Sequence, residues 1–405
     1  MKFIIPTIGT RGDVQPYIAL SLGLMRHGNQ VTLVSHPCMR NLVESYEVPF
    51  APMGPDIDIG YEAAKIRGRS KNWMLGFKRV MDFSFSMLEQ SYSDLLPLCR
   101  QADAVIVSHS AAGSMEADTL DLPRVSVTLM PQAIPVNDPN ASWINRAVMK
   151  AAGTAMGMMM TRPLENIRRR KGLPPMGPYG ITSQVLNLVP ISPLIEKPNP
   201  LWEPRHKMTG YWFAPQPKTF NPPASLVQFL EAGEPPLVIS LGAMSLSGDD
   251  TLEAARVTLE ALNQTGTRAI IQGWDGALQT LPIPPTIISA GSIPHNWLLP
   301  KAAGLIHHGG FGTTAAGFQA GIPSIVIPHI IDQYIWGNKV MELGVGSKPI
   351  PRARLTVSTL AAGIETIKDK RIKEKAAILG EQIRNEPDGV ETAVQWIEQT
   401  FEIRS

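Results

Sequence analysis

Residues 307–314, His-His-Gly-Gly-Phe-Gly-Thr-Thr, bring two imidazoles, three glycines and two hydroxyls into one octapeptide. An apolar run, Ala302 to Ile306, leads into it and reads as a short buried strand ending in a glycine-rich turn. Thr313 and Thr314 open a predicted helix through Ala315, Ala316, Phe318 and Ala320, which Gly321 and Pro323 stop. Such a turn gathers free backbone N–H groups and the positive end of a helix dipole, which suits a phosphate or diphosphate. A histidine adds a donor, and the hydroxyls of Thr313 and Thr314 add more. The plainer reading of the pair is one buried core histidine and one solvent histidine, with His307 the candidate for the buried one. After the next predicted strand, Ser324 to Pro328, come Asp332 and Gln333, which offer acceptors and an amide suited to sugar hydroxyls. A diphosphate site one strand away from a hydroxyl-reading site outlines a nucleotide-sugar pocket.

The elements that must position these groups follow an α/β rhythm. Lys2 to Ile8 reads as a strand, Gly9-Thr10-Arg11-Gly12-Asp13 as a turn, and the stretch through Ile18, Leu20, Leu22, Leu24 and Met25 as a helix. A second strand follows at Gln30 to Ser35. This is the start of a doubly wound parallel sheet. Further strands are predicted at Ala104 to Ser108 and Arg124 to Thr128. The region from Pro131 to Pro223 reads as a helix (Trp143 to Arg170) and loops, and Trp212 to Pro223 as a proline-rich linker. The rhythm then restarts. Strands are predicted at Leu237 to Leu241, Arg268 to Gln272, Thr286 to Ser289 and Gly304 to Ile306, with a helix from Leu252 to Asn263. The fold class is therefore α/β, with two Rossmann-like doubly wound halves facing each other across a cleft. The predicted domains are 1–215, 216–385 and a C-terminal helical segment, 386–405, packing back on the first.

Composition narrows the function. A chain of 405 residues implies more than one core. A net charge of +2 carries no signal for nucleic acid. Cys38 and Cys99 form neither a disulfide framework nor a metal-ligand spacing. No stretch approaches the roughly 18 apolar residues of a spanning helix, and the N-terminus lacks the features of a signal peptide, so a cytoplasmic setting is expected. The first turn lacks Gly-x-Gly-x-x-Gly spacing and the second strand ends at Ser35-His36, which disfavours an NAD-dependent oxidoreductase. No Asp-x-Asp pair stands beside the histidine turn to hold a divalent ion.

Gly9 to Pro16 at the start, and Pro294-His295-Asn296-Trp297-Leu298 through Asp332-Gln333, resemble the family-1 glycosyltransferases of the GT-B fold. The branch is that of the sterol 3-β-glucosyltransferases and glycopeptide-antibiotic glycosyltransferases. Asp332 to Asn338, Gly344-Val345-Gly346 and Pro349-Ile350-Pro351 stand closer to the sterol enzymes. The resemblance covers essentially the whole chain. It implies an inverting hexosyltransferase, with no metal and no cofactor beyond a nucleotide-sugar co-substrate such as UDP-glucose. Carried over by position, His308 and the turn with Gly310, Gly312 and Thr313 hold the diphosphate, Asp332 and Gln333 the hexose, and Asp13 is the general base. The uracil-stacking Trp of the plant members falls near Ser292, so the base is expected to meet main-chain groups near Ile293, with Trp274 as a stacking surface. UDP and TDP both remain as donors.

Asp13 serves as a base only if burial raises its pKa; its plain alternative is to cap the helix that follows. Arg11 reaches the phosphates or the domain interface, or stays on the surface. Ser240, Gly242 and Ser245 end the first strand of the second half and suit phosphate or ribose, and His295 shapes the loop beneath the base. His109 contacts the acceptor, assists Asp13 or is satisfied within the core. On the acceptor side stand an apolar Met cluster with Trp143 (Met149, Met156, Met158, Met159, Met160) and a second set, Trp73, Met74, Phe77, Phe83, Phe85 and Met87. The basic run Arg168 to Lys171 is a solvated helix end or a peripheral membrane contact. The expected partners are a UDP-sugar and a small lipophilic acceptor such as a sterol, for a monomer or dimer. The rival readings are a macrolide, polyketide or glycopeptide glycosyltransferase, a sugar-nucleotide epimerase, and a non-catalytic protein of the same fold.

Overall fold

The computed structural model describes residues 1–68, 73–134, 136, 142, 161–176, 180–241 and 249–402. Two parallel sheets organise the chain. The first contains β1 (Lys2–Pro6), β2 (Gln30–Ser35), β3 (Phe50–Pro52), β4 (Ala104–Val107), β5 (Arg124–Val127), β6 (Leu186–Val189) and β7 (His206–Met208), in the order 3-2-1-4-5-6-7. The second contains β8 (Leu237–Ser240), β9 (Ala269–Gln272), β10 (Ile287–Ala290), β11 (Gly304–His307) and β12 (Ser324–Val326), in the order 10-9-8-11-12. Strands covered on both faces read as unbroken apolar runs: Phe3, Ile4 and Ile5 in β1 and all of Ala104–Val107 in β4 are buried. Both halves are therefore Rossmann-like doubly wound sheets, as the alternation of apolar runs and turns implies.

One compact unit comprises Met1–Ile59, Trp73–Ala214 and Pro387–Ser405; the other comprises Gly60–Asn72 and Pro215–Glu386. Within each, the strand order reverses beside the first strand: β1 lies between β2 and β4, and β8 lies between β9 and β11. Loops leaving the two strands at such a reversal diverge to opposite faces and leave a crevice at their carboxyl ends. Asp13 and His109 follow β1 and β4, while His308 follows β11. No helix among the described residues is long and apolar enough to cross a membrane.

Three local features depart from expectation. Strands β6 and β7 lie where loops were expected, because β6 carries a polar residue that the sheet accommodates. Asn187 is fully buried; its Oδ1 accepts from Ser126 Oγ at 2.6 Å and Thr128 Oγ1 at 2.9 Å, and its amide pairs with His206 Nδ1 at 3.1 Å. The basic run is not simply a solvated helix end. Residues 161–170 are helical, and Arg168 is only 2 % exposed. It donates to Asp118 Oδ2 at 2.7 Å and twice to the Pro174 carbonyl, while Arg170 pairs with Glu89. Arg168 thus braces the fold and is not available to a membrane. Trp212, placed at the head of the linker, is buried against Tyr17 and donates to Thr209 Oγ1 at 3.0 Å.

The last helix, Gly389–Thr400, packs on the first, Arg11–Arg26, through Val390, Ala393, Val394 and Ile397. His27, just past the first helix, lies between Glu391 Oε2 at 2.9 Å and Glu398 Oε1 at 3.1 Å, and Arg26 also pairs with Glu391.

Candidate active site

In the first unit the site is built on the turn after β1. Thr10 is the N-cap of helix Arg11–Arg26, and Asp13 occupies its first turn. Asp13 Oδ2 accepts from the Thr10 main-chain N–H at 2.7 Å and from Thr10 Oγ1 at 2.9 Å. A side chain on Gly9, whose φ is +151°, would collide with that carboxylate, so the turn needs glycine there. Asp13 is therefore a capping residue, but its other oxygen is engaged elsewhere. Oδ1 lies 3.2 Å from His109 Nε2, across 96 residues of sequence. Asp13 remains 34 % exposed and His109 23 % exposed.

The expectation that burial raises the Asp13 pKa is overturned. Burial does push the carboxyl up, but the hydrogen bond to His109 together with the two Thr10 donors outweighs it, and the group stands below its ordinary value. The condition set on its use as a base is therefore not met by a raised pKa; the group is instead an ionised carboxylate at neutral pH, the state in which a carboxyl accepts a proton. His109 Nδ1 lies 3.0 Å from the phenol of Tyr17, a residue that the sequence analysis does not single out. Both ring nitrogens of His109 are thus engaged within the protein. His109 is therefore satisfied within the protein, one of the roles expected of it, and Asp13 is one of the two groups that satisfy it. Arg11 is half-buried near Tyr46, and burial draws its guanidinium below its usual pKa.

In the second unit, β11 delivers His307 into the core and His308 to its rim. His307 is fully buried; its Nδ1 accepts the Gly309 N–H at 3.2 Å, which leaves its proton on Nε2. Burial, then the neighbouring His308 and His295, holds it neutral, far below the usual histidine range. The His308 ring lies against Gly310, where a Cβ would collide with Nε2. Gly310 is the N-cap of helix Phe311–Ala320, which has no side-chain cap. An imidazole nitrogen therefore stands beside an uncapped helix N-terminus, an arrangement that suits a diphosphate.

The hydroxyl of Thr314 is not part of that site. It is buried and bonds back to the Gly310 carbonyl at 2.9 Å, whereas Thr313 is half-buried. Ser240 ends β8 directly across the ladder from His307. Asp332 and Gln333 lie in the first turn of helix Ile331–Glu342. Gln333 is buried, and its Oε1 accepts from the N–H groups of His329 at 2.7 Å and Ile330 at 3.3 Å, so its amide nitrogen is the group left for a ligand.

The family models match in the same two places. A glycosyltransferase family 28 N-terminal domain matches residues 3–116, and the C-terminal domain of erythromycin biosynthesis protein CIII-like proteins matches residues 256–399. The sterol 3-beta-glucosyltransferase UGT80B1 of Arabidopsis thaliana is 30% identical over 421 residues, covering 97% of this chain and 67% of its own length. The chain belongs to the family-1 glycosyltransferases of the GT-B fold. A sterol 3-beta-glucosyltransferase of Sclerotinia sclerotiorum is also 30% identical, with the match covering 98% of this chain and 29% of the fungal protein's own length. The chain thus spans about two-thirds of the plant relative and under a third of the fungal one. Among solved structures, the glycosyltransferase of kitacinnamycin superposes with a TM-score of 0.72 at 17% identity, covering 98% of each chain, which shows the shared fold.

Other sites expected of a family-1 glycosyltransferase fall as follows. The main-chain carbonyl of Ile293 is taken by Gln272 Nε2 at 3.1 Å, and Ser292 beside it is exposed. His295 is the first residue of the short helix His295–Leu298. Trp274 is buried in the core of the second unit at 8 % exposure, so the stacking role expected of it is withdrawn. Gly242, Ser245, Trp143 and the Met cluster with Met158 lie outside the described residues, as do the side chains of Trp73, Met74 and Phe77. Met87 is buried, and Phe83 and Phe85 pack partly buried against the same core. Among the described residues no group of three His, Cys, Asp or Glu side chains is placed to hold a metal ion.

Proposed function

We propose that this chain moves a hexose, glucose from UDP-glucose, onto the hydroxyl of a lipophilic, sterol-like acceptor with inversion at the anomeric carbon. Asp13 Oδ1 takes the acceptor proton. The acceptor oxygen forms its bond to the anomeric carbon as the bond to the β-phosphate oxygen breaks, and UDP departs with the electron pair. The proton ends on Asp13. The charge that develops on the diphosphate meets His308 and the N–H groups opening helix Phe311–Ala320; preorganised donors of this kind are commonly the largest catalytic contribution. Ser240, His295 and Arg11 complete the donor contacts, with main-chain groups around Ile293 reading the base. Asp332 and the Gln333 amide read the hexose.

One observation carries the choice of base. His109 has both nitrogens committed, whereas Asp13 Oδ1 has one partner and exposure to spare. A carboxylate oxygen accepts more than one hydrogen bond, so Oδ1 keeps room for a hydroxyl. The sterol class is supported by the 30% identity to sterol 3-beta-glucosyltransferases.

The test is purified protein with radiolabelled UDP-glucose and, in parallel, TDP-glucose, against ergosterol, a plant sterol and a macrolide, with and without EDTA. Transfer to a sterol from UDP-glucose that survives chelation is the expected result. Transfer to the macrolide alone moves the acceptor class, and a strict Mg²⁺ requirement refutes the account of the leaving group.

A further inference from the structure

Tyr17 is the feature of the first site that the transfer reaction, as described, does not use. It is 1 % exposed, lies six residues into the helix after β1, and its ring is held between Trp212, edge-on at 6.2 Å, and His109, stacked at 6.0 Å and 11°. Its phenol oxygen accepts the His109 main-chain N–H at 2.9 Å, and the Ser108 hydroxyl lies near it. Burial also pushes the phenol far above its ordinary pKa, so its proton stays in place. A phenol has one proton to give. Ser108 is linked in turn to Ser110 at 2.7 Å, and Ser110 Oγ accepts the Ile8 N–H at 3.3 Å.

The Ser108–Ser110 pair can run in either direction, since each hydroxyl has room to accept, and it does not set the polarity of the chain. The polarity is set at Tyr17: its oxygen already accepts the His109 main-chain N–H, and its buried proton has His109 Nδ1, 3.0 Å away, as acceptor. With Nδ1 an acceptor, the imidazole carries its proton on Nε2 and donates it to Asp13 Oδ1. Hydrogen bonds aligned head to tail polarise one another, and this chain delivers its positive end to the carboxylate.

We propose that Tyr17 is a positioning residue of the transfer reaction, fixing His109 in the Nε2–H tautomer that holds Asp13 Oδ1 in place. The proposal rests on Asp13 being the base. Without the phenol, nothing on the Tyr17 side specifies the Nδ1 lone pair. The opposite tautomer would then point the Nε2 lone pair at a carboxylate oxygen, and the two would repel. The Asp13 carboxylate would lose its fixed orientation while its Thr10 bonds remained.

Selective ¹⁵N-histidine labelling tests this in the wild-type protein, with the His109 signals assigned by their loss in His109→Gln. The expected spectrum at neutral pH shows His109 protonated at Nε2 and bare at Nδ1; a proton on Nδ1 overturns the proposal. Tyr17→Phe retains the ring packing and removes one oxygen. It is expected to lower kcat for glucose transfer about tenfold, the worth of one hydrogen bond, while the Kd for UDP stays within about twofold. A wild-type kcat in folded Tyr17→Phe also overturns it. The tautomer measurement needs neither a substrate nor a variant of Tyr17. It can therefore fail while the glycosyl-transfer reading stands, and stand if that reading fails.

Discussion

Replacing Asp13 with asparagine is the sharpest perturbation the site allows. The change is isosteric, so its consequence can be followed atom by atom. In the wild type, Oδ2 accepts two donors from Thr10 and Oδ1 accepts the His109 Nε2–H. Asparagine has one acceptor oxygen. That oxygen is expected to remain with the two Thr10 donors, which turns the amide NH₂ toward His109 and makes donor face donor. His109 must change tautomer or move, and no group is left to take the acceptor proton. A positioned general base is worth about 10²–10⁴-fold, or about 3–5 kcal/mol of transition-state stabilisation, and kcat should fall by that factor. The loss of an anion at the helix N-terminus should cost only about 1 kcal/mol of stability, since the Thr10 cap is retained. The assay pairs initial rates of labelled-glucose transfer with calorimetric UDP binding. The expected pattern is a collapse of kcat with UDP affinity unchanged. A variant that turns over within a few-fold of wild type refutes the base assignment outright. Because His109 and Thr10 hold the carboxyl below its ordinary pKa, the acid limb of the wild-type rate should lie below the usual carboxylate range. A limb near neutrality would contradict that ionised state.

On the donor side, His308→Ala should weaken UDP binding about 10- to 100-fold, the worth of a charge-assisted hydrogen bond; an unchanged Kd by calorimetry rejects the diphosphate assignment. The His27 pKa is raised by its bond to Glu391, against opposing burial, and further by Glu398. Its contribution is fully present below its unfolded pKa of about 6.5 and is lost as pH rises through the higher folded value. Urea denaturation of His27→Gln should therefore show a deficit below about pH 6.5 that closes in alkali, and a deficit growing with pH would reverse the sign of the argument. Arg168→Met breaks a buried pair, yet Arg124 still reaches Asp118 at 3.2 Å. The expected cost is therefore about 2–3 kcal/mol, short of the full cost of an orphaned charge, and no change in the urea midpoint would show that Arg168 does not brace the fold.

What the sequence disclosed was governed by how local the physics was. Ala104–Val107 and Gly304–His307 announce themselves because a strand covered on both faces has to be apolar, and the glycine-rich turn after β11 is written in consecutive residues. Strand β6 was missed because Asn187 interrupts its apolar run, and the groups that satisfy Asn187 are about sixty residues upstream. Arg168 looked like one member of a surface run because its partner, Asp118, is fifty residues away. The proximity of His109 to Asp13 followed from topology, since both leave strands at the sheet reversal. The direction of the Asp13 pKa did not follow, because it depends on how many donors converge on two oxygens. Tyr17 carried no local signal at all: a tyrosine on the buried face of a helix reads as packing until its hydroxyl is traced.

The placement of helix Gly389–Thr400 against helix Arg11–Arg26 has a consequence for biosynthesis. On a ribosome the strands of the first sheet emerge early, but the flank of the first helix at Gly23, against which Val390 and Val394 pack, lacks its cover until residues 389–400 have been made. Nearly two hundred intervening residues, enough to complete the second sheet, are translated first. The nascent first sheet must therefore wait with a greasy face open to solvent or to a chaperone, and truncation anywhere before residue 389 should yield a chain prone to clumping rather than a smaller folded protein.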